Sequence, residues 1–438
     1  MKSPDTNSSS RCEPGVRLHH DRIHFQTVAS GKPWLTKVVA TTVVALTVAL
    51  SFERAEANGF ANASFVQPPD LAAFQGFGGT IATDGNTMAV GVQHAPFAVY
   101  VYTNNNGAWT EQAKLFSPSG SLTDRFGASL AVQSNTLIVG AGSGGTSGLA
   151  YVFTNSNGTW VQQTVLVPTG GSGVSFAGSS LNGIYLSGTT LAVGAPSEST
   201  PAGNTGSVYI FTTTNGVWTQ QARITPTDPL VAGFGLSVVV QNDTLVVGAP
   251  FTGSVSIFDP GAAFVFTRQN GGWTQQTRLD PPDPVPAGLY GQFVSLDGST
   301  AVVGAPTSSE ADIYVQNNGA WSAQALIIGP EDSDFGTSVK VIGDLLLVTS
   351  YDDVATTGVF SGDAFIYTRG GSAWTEQPTL YMAPGVNGIP GPGQTNQRFG
   401  NFAAMAKAGS RTIFVISSQT YSNPNARQVG AVYTATLN

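Results

Sequence analysis

The fold is decided by the stretch Phe234–Gln276, which reads FGLSVVVQNDTLVVGAPFTGSVSIFDPGAAFVFTRQNGGWTQQ. Its apolar runs are short, and turn residues such as Asn242-Asp243 separate them. The four runs in chain order are Phe234–Val240, Thr244–Pro250, Gly261–Phe266 and Gly272–Gln276. Runs of this length, rich in Val and Phe and bounded by Gly, Pro and Asn, predict four β-strands.

The same unit recurs about seven times along the chain. The opening Phe-Gly pair begins at Phe77, Phe126, Phe234, Phe335 and Phe399, with variants at Phe176-Ala177 and Tyr290-Gly291. The openings recur every 45 to 64 residues. A period of roughly 40–50 residues with four strands per unit is typical of propeller blades. The sequence therefore predicts an all-β fold, a seven-bladed β-propeller of four-stranded antiparallel blades.

The second run of the unit reads Val-Gly-Ala-Pro in three blades, ending at Pro196, Pro250 and Pro306. Because proline has no N–H to donate, each of these residues is expected to end its strand. Small residues such as Gly248 and Ala249 would let neighbouring blades converge towards the axis of the ring. The Trp and Tyr side chains of the other runs would fill the wider gaps farther out.

A count of the runs predicts how the ring closes. There are seven openings but six Trp-bearing fourth runs, at Trp109, Trp160, Trp218, Trp273, Trp321 and Trp374. The sequence stops at Asn438, directly after the third run of the last unit. The segment Ala63–Gln67 has strand character and could supply the missing strand, which would leave no open sheet edge. An open solenoid is the alternative, but it would need capping units, and the sequence pattern offers none.

The segment 1–57 differs from the repeats. It holds seven of the 18 basic residues, and its apolar run is Val38–Phe52. That run is shorter than the ~20 residues that span a bilayer, and the small-x-small segment Ala55-Glu56-Ala57 follows it. We interpret 1–57 as a secretory signal peptide with a long basic leader, and 58–438 as the propeller. An uncut membrane anchor and an internal start codon are the alternatives.

The rest of the chain, 58–438, is acidic and almost free of reactive side chains. Its 11 basic and 21 acidic residues give a formal net charge of −10, which disfavours nucleic acid as a partner. The single cysteine, Cys12, lies in the leader, so no disulfide is expected after cleavage. His94 is the single histidine after residue 57, and no catalytic motif surrounds it. Zinc chemistry is therefore not expected, and neither is a Ser-His-Asp site.

The repeats resemble the FG-GAP family, whose repeats build the propeller head of integrin α chains. The resemblance covers about residues 60–438 and rests on Phe-Gly, Val-Gly-Ala-Pro and Trp-Thr-Gln-Gln together. It implies a propeller like those of secreted or surface bacterial proteins. It also implies calcium in the loop between the second and third strands. Only the sixth such loop contains several acidic residues, namely Asp352, Asp353 and nearby Asp363. These three are therefore the candidate calcium ligands.

Other acids pair up along the chain, as in Asp280/Asp283, Asp332/Asp334 and Asp352/Asp353. Asp124, Asp228, Asp283 and Asp334 fall in the same inter-blade segment of different units, which indicates turn or capping roles. Loop length is what varies between units, and recognition tends to lie on such loops. The candidates for ligand contact are Glu198, Phe251, Asn387 and Gln394, the last two within the Gly/Pro-rich insertion Met382–Arg398.

The sequence is compatible with three functions. The favoured one is a secreted or cell-surface, non-enzymatic binding or adhesion module that recognises a protein or glycan, because the scaffold is regular and carries no reactive constellation. The second is a secreted polysaccharide hydrolase or lyase using carboxylates on one propeller face. The third is a structural cell-envelope protein. No cofactor other than calcium, no membrane span after residue 57 and a monomeric state are expected.

The leader interpretation predicts cleavage after Ala57. Expression in a secreting host and N-terminal sequencing of the exported protein should find a chain that begins at Asn58. Recovery of the protein in the membrane fraction with its leader attached would show that the segment is an anchor instead.

Overall fold

A computed structural model describes residues 60–72, 75–121, 124–142, 147–172, 175–178, 182–203, 205–251, 260–285, 287–330, 333–351, 362–377, 398–420 and 429–438. These residues belong to one compact unit, Ala49–Asn438. The leader lies outside the described residues, so its export role stays a prediction.

The described residues form 28 β-strands and one short 3-10 turn, Pro306–Ser308. The strands make seven antiparallel sheets of four, which are the blades of a β-propeller. The inner strands of blades 1 to 7 are β2 (Phe77–Thr83), β6 (Ser129–Gln133), β10 (Ile184–Ser187), β14 (Ser237–Gln241), β18 (Phe293–Asp297), β22 (Ser338–Ile342) and β26 (Phe399–Ala408). The second strands are β3 (Thr87–Val92), β7 (Thr136–Ala141), β11 (Thr190–Ala195), β15 (Thr244–Ala249), β19 (Thr300–Ala305), β23 (Leu345–Ser350) and β27 (Arg411–Ser418).

The outer half of each blade completes the sheet. The third strands are β4 (Val99–Asn105), β8 (Leu149–Ser156), β12 (Ser207–Thr214), β16 (Ala262–Gln269), β20 (Glu310–Asn317), β24 (Asp363–Gly370) and β28 (Ala431–Leu437). The outermost strands are β5 (Ala108–Leu115), β9 (Thr159–Leu166), β13 (Val217–Ile224), β17 (Gly272–Leu279), β21 (Ala320–Ile328), β25 (Ala373–Glu376) and, in blade 7, β1 (Phe60–Val66). The second strands of blades 3, 4 and 5 end directly before Pro196, Pro250 and Pro306, as predicted.

The N-terminal strand closes the ring, which confirms the count of runs. β1 pairs antiparallel with β28, and Phe65 faces Tyr433 while Val66 faces Val432. The strand is longer than predicted, because it starts at Phe60 instead of Ala63. Phe60 is fully buried against Phe414, so apolar burial extends the pairing towards the N-terminus.

The Phe-Gly pair differs from its predicted place in one respect. In blades 2 to 6 it lies in a turn before the inner strand, not inside that strand. The glycine adopts a left-handed backbone, with φ of 94° at Gly235. Its N–H donates to the carbonyl of Gly248 in the same blade at 3.1 Å. The phenylalanine ring packs edge-to-face on the third strand, with Phe234 5.7 Å from Phe264.

The turn also joins each blade to the one before it. The Phe234 N–H of blade 4 donates to the Thr205 carbonyl of blade 3 at 3.0 Å. The Gly291 carbonyl of blade 5 accepts the Ser237 hydroxyl of blade 4 at 2.9 Å. At the closure, the Phe77 N–H of blade 1 donates to the Val429 carbonyl of blade 7 at 2.9 Å. We call this contact between the opening turn of one blade and the preceding blade the seam. The seam therefore continues across the point where the two chain ends meet.

The outer strands are joined by the glutamine of the Trp-Thr-Gln-Gln run. The Trp160 indole N–H donates to the Gln112 side-chain oxygen of the preceding blade at 2.7 Å. Trp374 makes the same contact to Gln324 at 3.1 Å. The Gln163 amide donates to the Gly216 carbonyl in the next outer hairpin at 2.7 Å. The run therefore clips neighbouring blades together at the rim of the ring.

Apolar packing follows the same division. The buried side chains form seven clusters, each drawn chiefly from two neighbouring blades. At the axis, Phe293 of blade 5 packs against Phe402 of blade 7 with ring centroids 6.5 Å apart. A cavity of about 10 Å³ remains beside Phe402, Ile81 and Leu130. That volume holds one water molecule at most, so side chains fill the centre of the ring at this level.

The seam predicts that Gly248 does not tolerate a side chain. A Cβ on Gly248 would lie 1.8 Å from the Gly291 carbonyl oxygen, whereas one on Gly272 would meet nothing nearer than 3.8 Å. Gly248→Ala should lower the free energy of unfolding by about 3 kcal/mol, because two backbones must separate. Gly272→Ala, in the same blade, should change it by less than ~0.5 kcal/mol. Urea denaturation measures the free energy of unfolding of both variants. Equal losses of stability would contradict the claim that the seam excludes a side chain at Gly248.

Candidate functional site

The two faces of the ring differ in their connections. One face, here the hairpin face, carries the turns between first and second strands and between third and fourth strands. All of those turns within the described blades have two or three residues. The opposite face, the loop face, carries the connections between second and third strands and between blades. These range from the short connection 306–309 after β19 to the long segment 377–398 between β25 and β26. Variation in length is thus confined to the loop face.

One backbone position on the loop face repeats in every blade. The residue before the opening aromatic has a left-handed backbone throughout, with φ between 49° and 73°. The seven residues are Gly76, Arg125, Ser175, Gly233, Leu289, Asp334 and Arg398. We call this position the rim step. Its backbone is constant while its side chain ranges from none to an arginine, so it changes the chemistry of the face without changing the fold.

A pocket of about 270 Å³ opens on the loop face beside the rim step of blade 2. Arg125 contributes its exposed side chain, and Thr80 of blade 1 contributes from the inner strand. The loop between β3 and β4 supplies Gln93, His94 and Phe97. The pocket thus combines a cation, neutral polar groups and one aromatic ring.

A second pocket of about 240 Å³ lies among blades 5, 6 and 7. It also contains a rim-step arginine, Arg398, whose guanidinium lies 5.9 Å from the Tyr351 ring centroid. The rim-step residues Leu289 and Asp334 line the same pocket. Arg398 is the last residue of the insertion Met382–Arg398, and it is the part of that insertion that the structure describes.

Glu198, expected from sequence to contact a ligand, is instead fully buried. The Tyr209 hydroxyl lies 2.8 and 2.9 Å from its two carboxylate oxygens, and the Arg223 Nε lies 3.6 Å away. Burial, followed by the hydrogen bond to Glu198, raises the pKa of Tyr209. Glu198 therefore anchors the loop between β11 and β12 from inside. The length of the loop pointed to the surface, and the sequence held no sign that the carboxylate turns inward.

Blade 1 holds a related cluster. The Tyr100 hydroxyl donates to Asp70 at 2.9 Å, and the Lys114 ammonium lies 2.5 Å from the other oxygen. The hydrogen bond from Lys114 is the largest influence and holds the pKa of Asp70 below its usual value. Burial raises the pKa of Tyr100 to about 12. These clusters tie loop-face segments to the third and fourth strands.

The remaining sequence candidates fall in different places. Phe251 is 53% exposed on the loop face, beside the rim-step Gly233. Asn387 and Gln394 lie outside the described residues, as do the calcium candidates Asp352 and Asp353. Asp363, the third calcium candidate, is buried at the start of β24, where it faces Ser350 across the sheet. Calcium at this loop therefore stays a prediction.

Two of the four acids of the repeated inter-blade segment, Asp124 and Asp228, have the capping role that the sequence indicated. Asp124 accepts the Phe126 N–H at 3.2 Å and the Ser119 hydroxyl at 2.9 Å. Asp228 accepts the Leu230 N–H at 2.9 Å and pairs with Arg278 at 3.1 Å. Within the described ranges, no three His, Cys, Asp or Glu side chains converge on a metal-sized site. No helix among the described residues is long and apolar enough to cross a membrane.

Blade 5 departs from the aromatic pattern at its seam. Asp312 stands in the register that Tyr151 and Tyr209 occupy in other blades, and the opening aromatic is Tyr290. Asp312 is 1% exposed, and the Tyr290 and Tyr314 hydroxyls lie 2.6 Å apart beside it. Burial, assisted by the charge of Glu310, raises the pKa of Asp312 to about 7. The sequence shows this departure as two replacements in blade 5: Tyr290 stands for the opening phenylalanine, and Asp312 stands for the third-strand tyrosine.

Comparison with known proteins finds a family model that matches three segments of the chain. The FG-GAP repeat model matches residues 109–153, 218–266 and 273–323. A chain from a crystal structure of the mitotic checkpoint complex superposes with a TM-score of 0.52 at 12% identity, over 85% of this chain and 90% of that one. Sqt1 of Saccharomyces cerevisiae gives 0.44 at 12% identity, over 84% and 97%. These likenesses concern the fold alone, and no curated protein matches the chain.

The Asp312 cluster predicts a pH-dependent stability. The folded chain keeps the Asp312 proton up to about pH 7, whereas an unfolded chain releases it near pH 4. Unfolding between these values releases a proton, so the free energy of unfolding should fall as pH rises, by up to ~1.4 kcal/mol per pH unit. Asp312→Asn should remove this component of the slope. Urea denaturation from about pH 4.5 to 7 compares the two proteins, with exposed Asp344→Asn as control. Parallel slopes for wild type and Asp312→Asn would refute the assignment.

Proposed function

The chain carries FG-GAP repeats, and from that premise we propose that it is a secreted or cell-surface, non-enzymatic module that binds a protein or glycan through its loop face. FG-GAP repeats are typical of extracellular proteins. The proposal includes a monomeric state and the export segment 1–57. Calcium at Asp352, Asp353 and Asp363 would serve loop structure in this scheme.

The observation that carries the proposal is the contrast between the two faces. The hairpin face of the described blades consists of turns of two or three residues, whereas the loop face varies in length, charge and side chain. A rigid scaffold that presents varied loops on one side is the usual arrangement of a recognition surface. Two pockets open on that side, and each contains an arginine from the rim step.

The environment of the repeated acids supports binding over hydrolysis. A glycoside hydrolase needs two carboxyl groups about 5–10 Å apart across its substrate. Asp124 and Asp228 are engaged with their own turns or with Arg278, as described above. Asp312 is buried within its blade. These three acids are committed to the scaffold, which supports recognition as the function of the loop face.

The proposal predicts that binding depends on the loop face. The exported chain would be screened on a glycan array and against a panel of extracellular proteins. Phe251→Ser, on the loop face, should weaken the binding found by about tenfold, since a half-exposed aromatic ring is a frequent anchor of an interface. Val217→Ser, beside an outer hairpin and 65% exposed, is the matched control and should leave it unchanged.

Mass spectrometry of the bound ligand after prolonged incubation completes the test. The ligand should be recovered intact. Cleavage of the ligand would identify an enzyme, and loss of binding through Val217→Ser alone would place recognition on the hairpin face.

A further inference from the structure

We propose that the pocket beside Arg125 binds the terminal acidic sugar of a glycan, with the sugar carboxylate on the Arg125 guanidinium. This inference rests on the proposed binding function and names its ligand class. All residues that line the pocket lie in the described part of the chain. The pocket is formed where the rim step of blade 2 meets the β3–β4 loop of blade 1.

Arg125 is a cation without a carboxylate partner among the described residues. Five other cations there are ion-paired at 2.5 to 3.6 Å: Lys114, Arg223, Arg268, Arg278 and Arg369. The adjacent acid, Asp124, is occupied by Ser117, Ser119 and the Phe126 N–H. The Arg125 fork is therefore available to a ligand, and a carboxylate is the group whose geometry it matches in two parallel hydrogen bonds.

The backbone that carries the neutral groups of the pocket is held in place before any ligand arrives. The backbone N–H of His94 donates to the Gln75 carbonyl at 3.1 Å, and the backbone N–H of Gln93 donates to the Gly76 carbonyl at 3.1 Å. Gly79 packs so closely on Gln93 that a Cβ there would lie 2.8 Å from the Gln93 Cβ. A fixed loop loses little conformational entropy on binding. Gln93 and His94 offer both donors and acceptors, as the hydroxyl groups of a sugar require.

Size and charge favour one acidic sugar over the other anions. At about 270 Å³ the pocket is slightly smaller than a typical drug-sized site of ~300–1,000 Å³, so it suits a single ring. Phe97 gives the ring an apolar wall. The net charge of −10 after residue 57 opposes a polyanion, whether a nucleic acid or a polyuronate. A lone carboxylate at the end of a neutral glycan avoids that repulsion and still reaches Arg125.

Isothermal titration of the exported chain with matched sugars tests the inference. The acidic probes are 3′-sialyllactose, 6′-sialyllactose and a glucuronic-acid-terminated disaccharide, and lactose is the neutral counterpart. At least one acidic probe should bind with a Kd below about 1 mM, and lactose should bind at least tenfold more weakly. A Glu-rich peptide serves as a carboxylate donor without a sugar ring. Equal binding of lactose, binding of the peptide alone, or no binding of any acidic sugar in that range would overturn the assignment.

Variants locate the binding. Arg125→Gln should weaken binding of the acidic sugar by about 10- to 100-fold, which is the range expected for a charged hydrogen-bonded pair. Arg125→Lys should recover part of that loss, because it restores the charge but not the fork. Arg411→Gln removes the same charge from an exposed hairpin-face residue and should leave the affinity unchanged. An equal loss through Arg411→Gln would show a general charge effect and overturn the site.

The two proposals can fail separately. If Phe251→Ser weakens a ligand from the array while Arg125→Gln leaves every ligand unaffected, the loop face binds but the pocket assignment is wrong. If binding depends on hairpin-face residues alone, the proposed function itself is wrong. Thermal unfolding of each variant should match wild type, because Arg125 is exposed and makes no ion pair within the described structure.

Discussion

Close approach between the Phe-Gly turn of one blade and a small residue of the preceding blade is the constraint on which the ring depends, and at four of the seven seams both residues are glycine. The carbonyl of the Phe-Gly turn lies directly against the Cα of the Val-Gly-Ala glycine in the preceding blade. A Cβ on Gly194 would come within 1.8 Å of the Gly235 oxygen, and one on Gly140 within 2.1 Å of the Ala177 oxygen. Neither backbone can retreat, because the turn is also hydrogen-bonded to its own second strand. The motif is therefore a steric requirement for close approach near the axis.

Each blade is narrow near the axis and wide at the rim, and this shape follows from the close contact at the seam. Blades meet through glycine, alanine and serine near the axis and through Trp–Gln contacts at the rim, while edge-to-face Phe and Tyr rings fill the middle of each blade. The Ser129 hydroxyl donates to the Ala177 carbonyl at 2.6 Å, so the seam survives where the opening reads Phe-Ala. At that position Ala177 keeps the left-handed backbone, with φ of 52°. The geometry is thus imposed by neighbours on both sides, and one unfavourable residue does not break it.

Much of the fold was predictable because the same pattern of strands and turns recurs in seven units. Prolines ended the second strands, and the missing Trp run correctly implied that an N-terminal strand closes the ring. The left-handed step before each aromatic was not predictable, because residues as different as Gly76, Leu289 and Arg398 hold it. The burial of Glu198 was missed for a similar reason: a loop residue and an internal anchor look alike until Tyr209 and Arg223 are placed beside it. The Arg125 pocket joins segments from three blades, and no local pattern encodes that junction.

The left-handed backbone of the rim step has an energetic cost that depends on the residue that adopts it. A left-handed backbone costs an ordinary residue roughly 1–2 kcal/mol, and glycine adopts it freely. Blades 1 and 4 use glycine there, which demonstrates that the seam needs no side chain at this position. Five blades nevertheless hold a side chain, and in two of them it is an arginine that lines a pocket. Because glycine suffices for the seam at this position, the two pocket-lining arginines support the recognition role proposed for the loop face. Strain kept at a surface position is a reason to look for a ligand there.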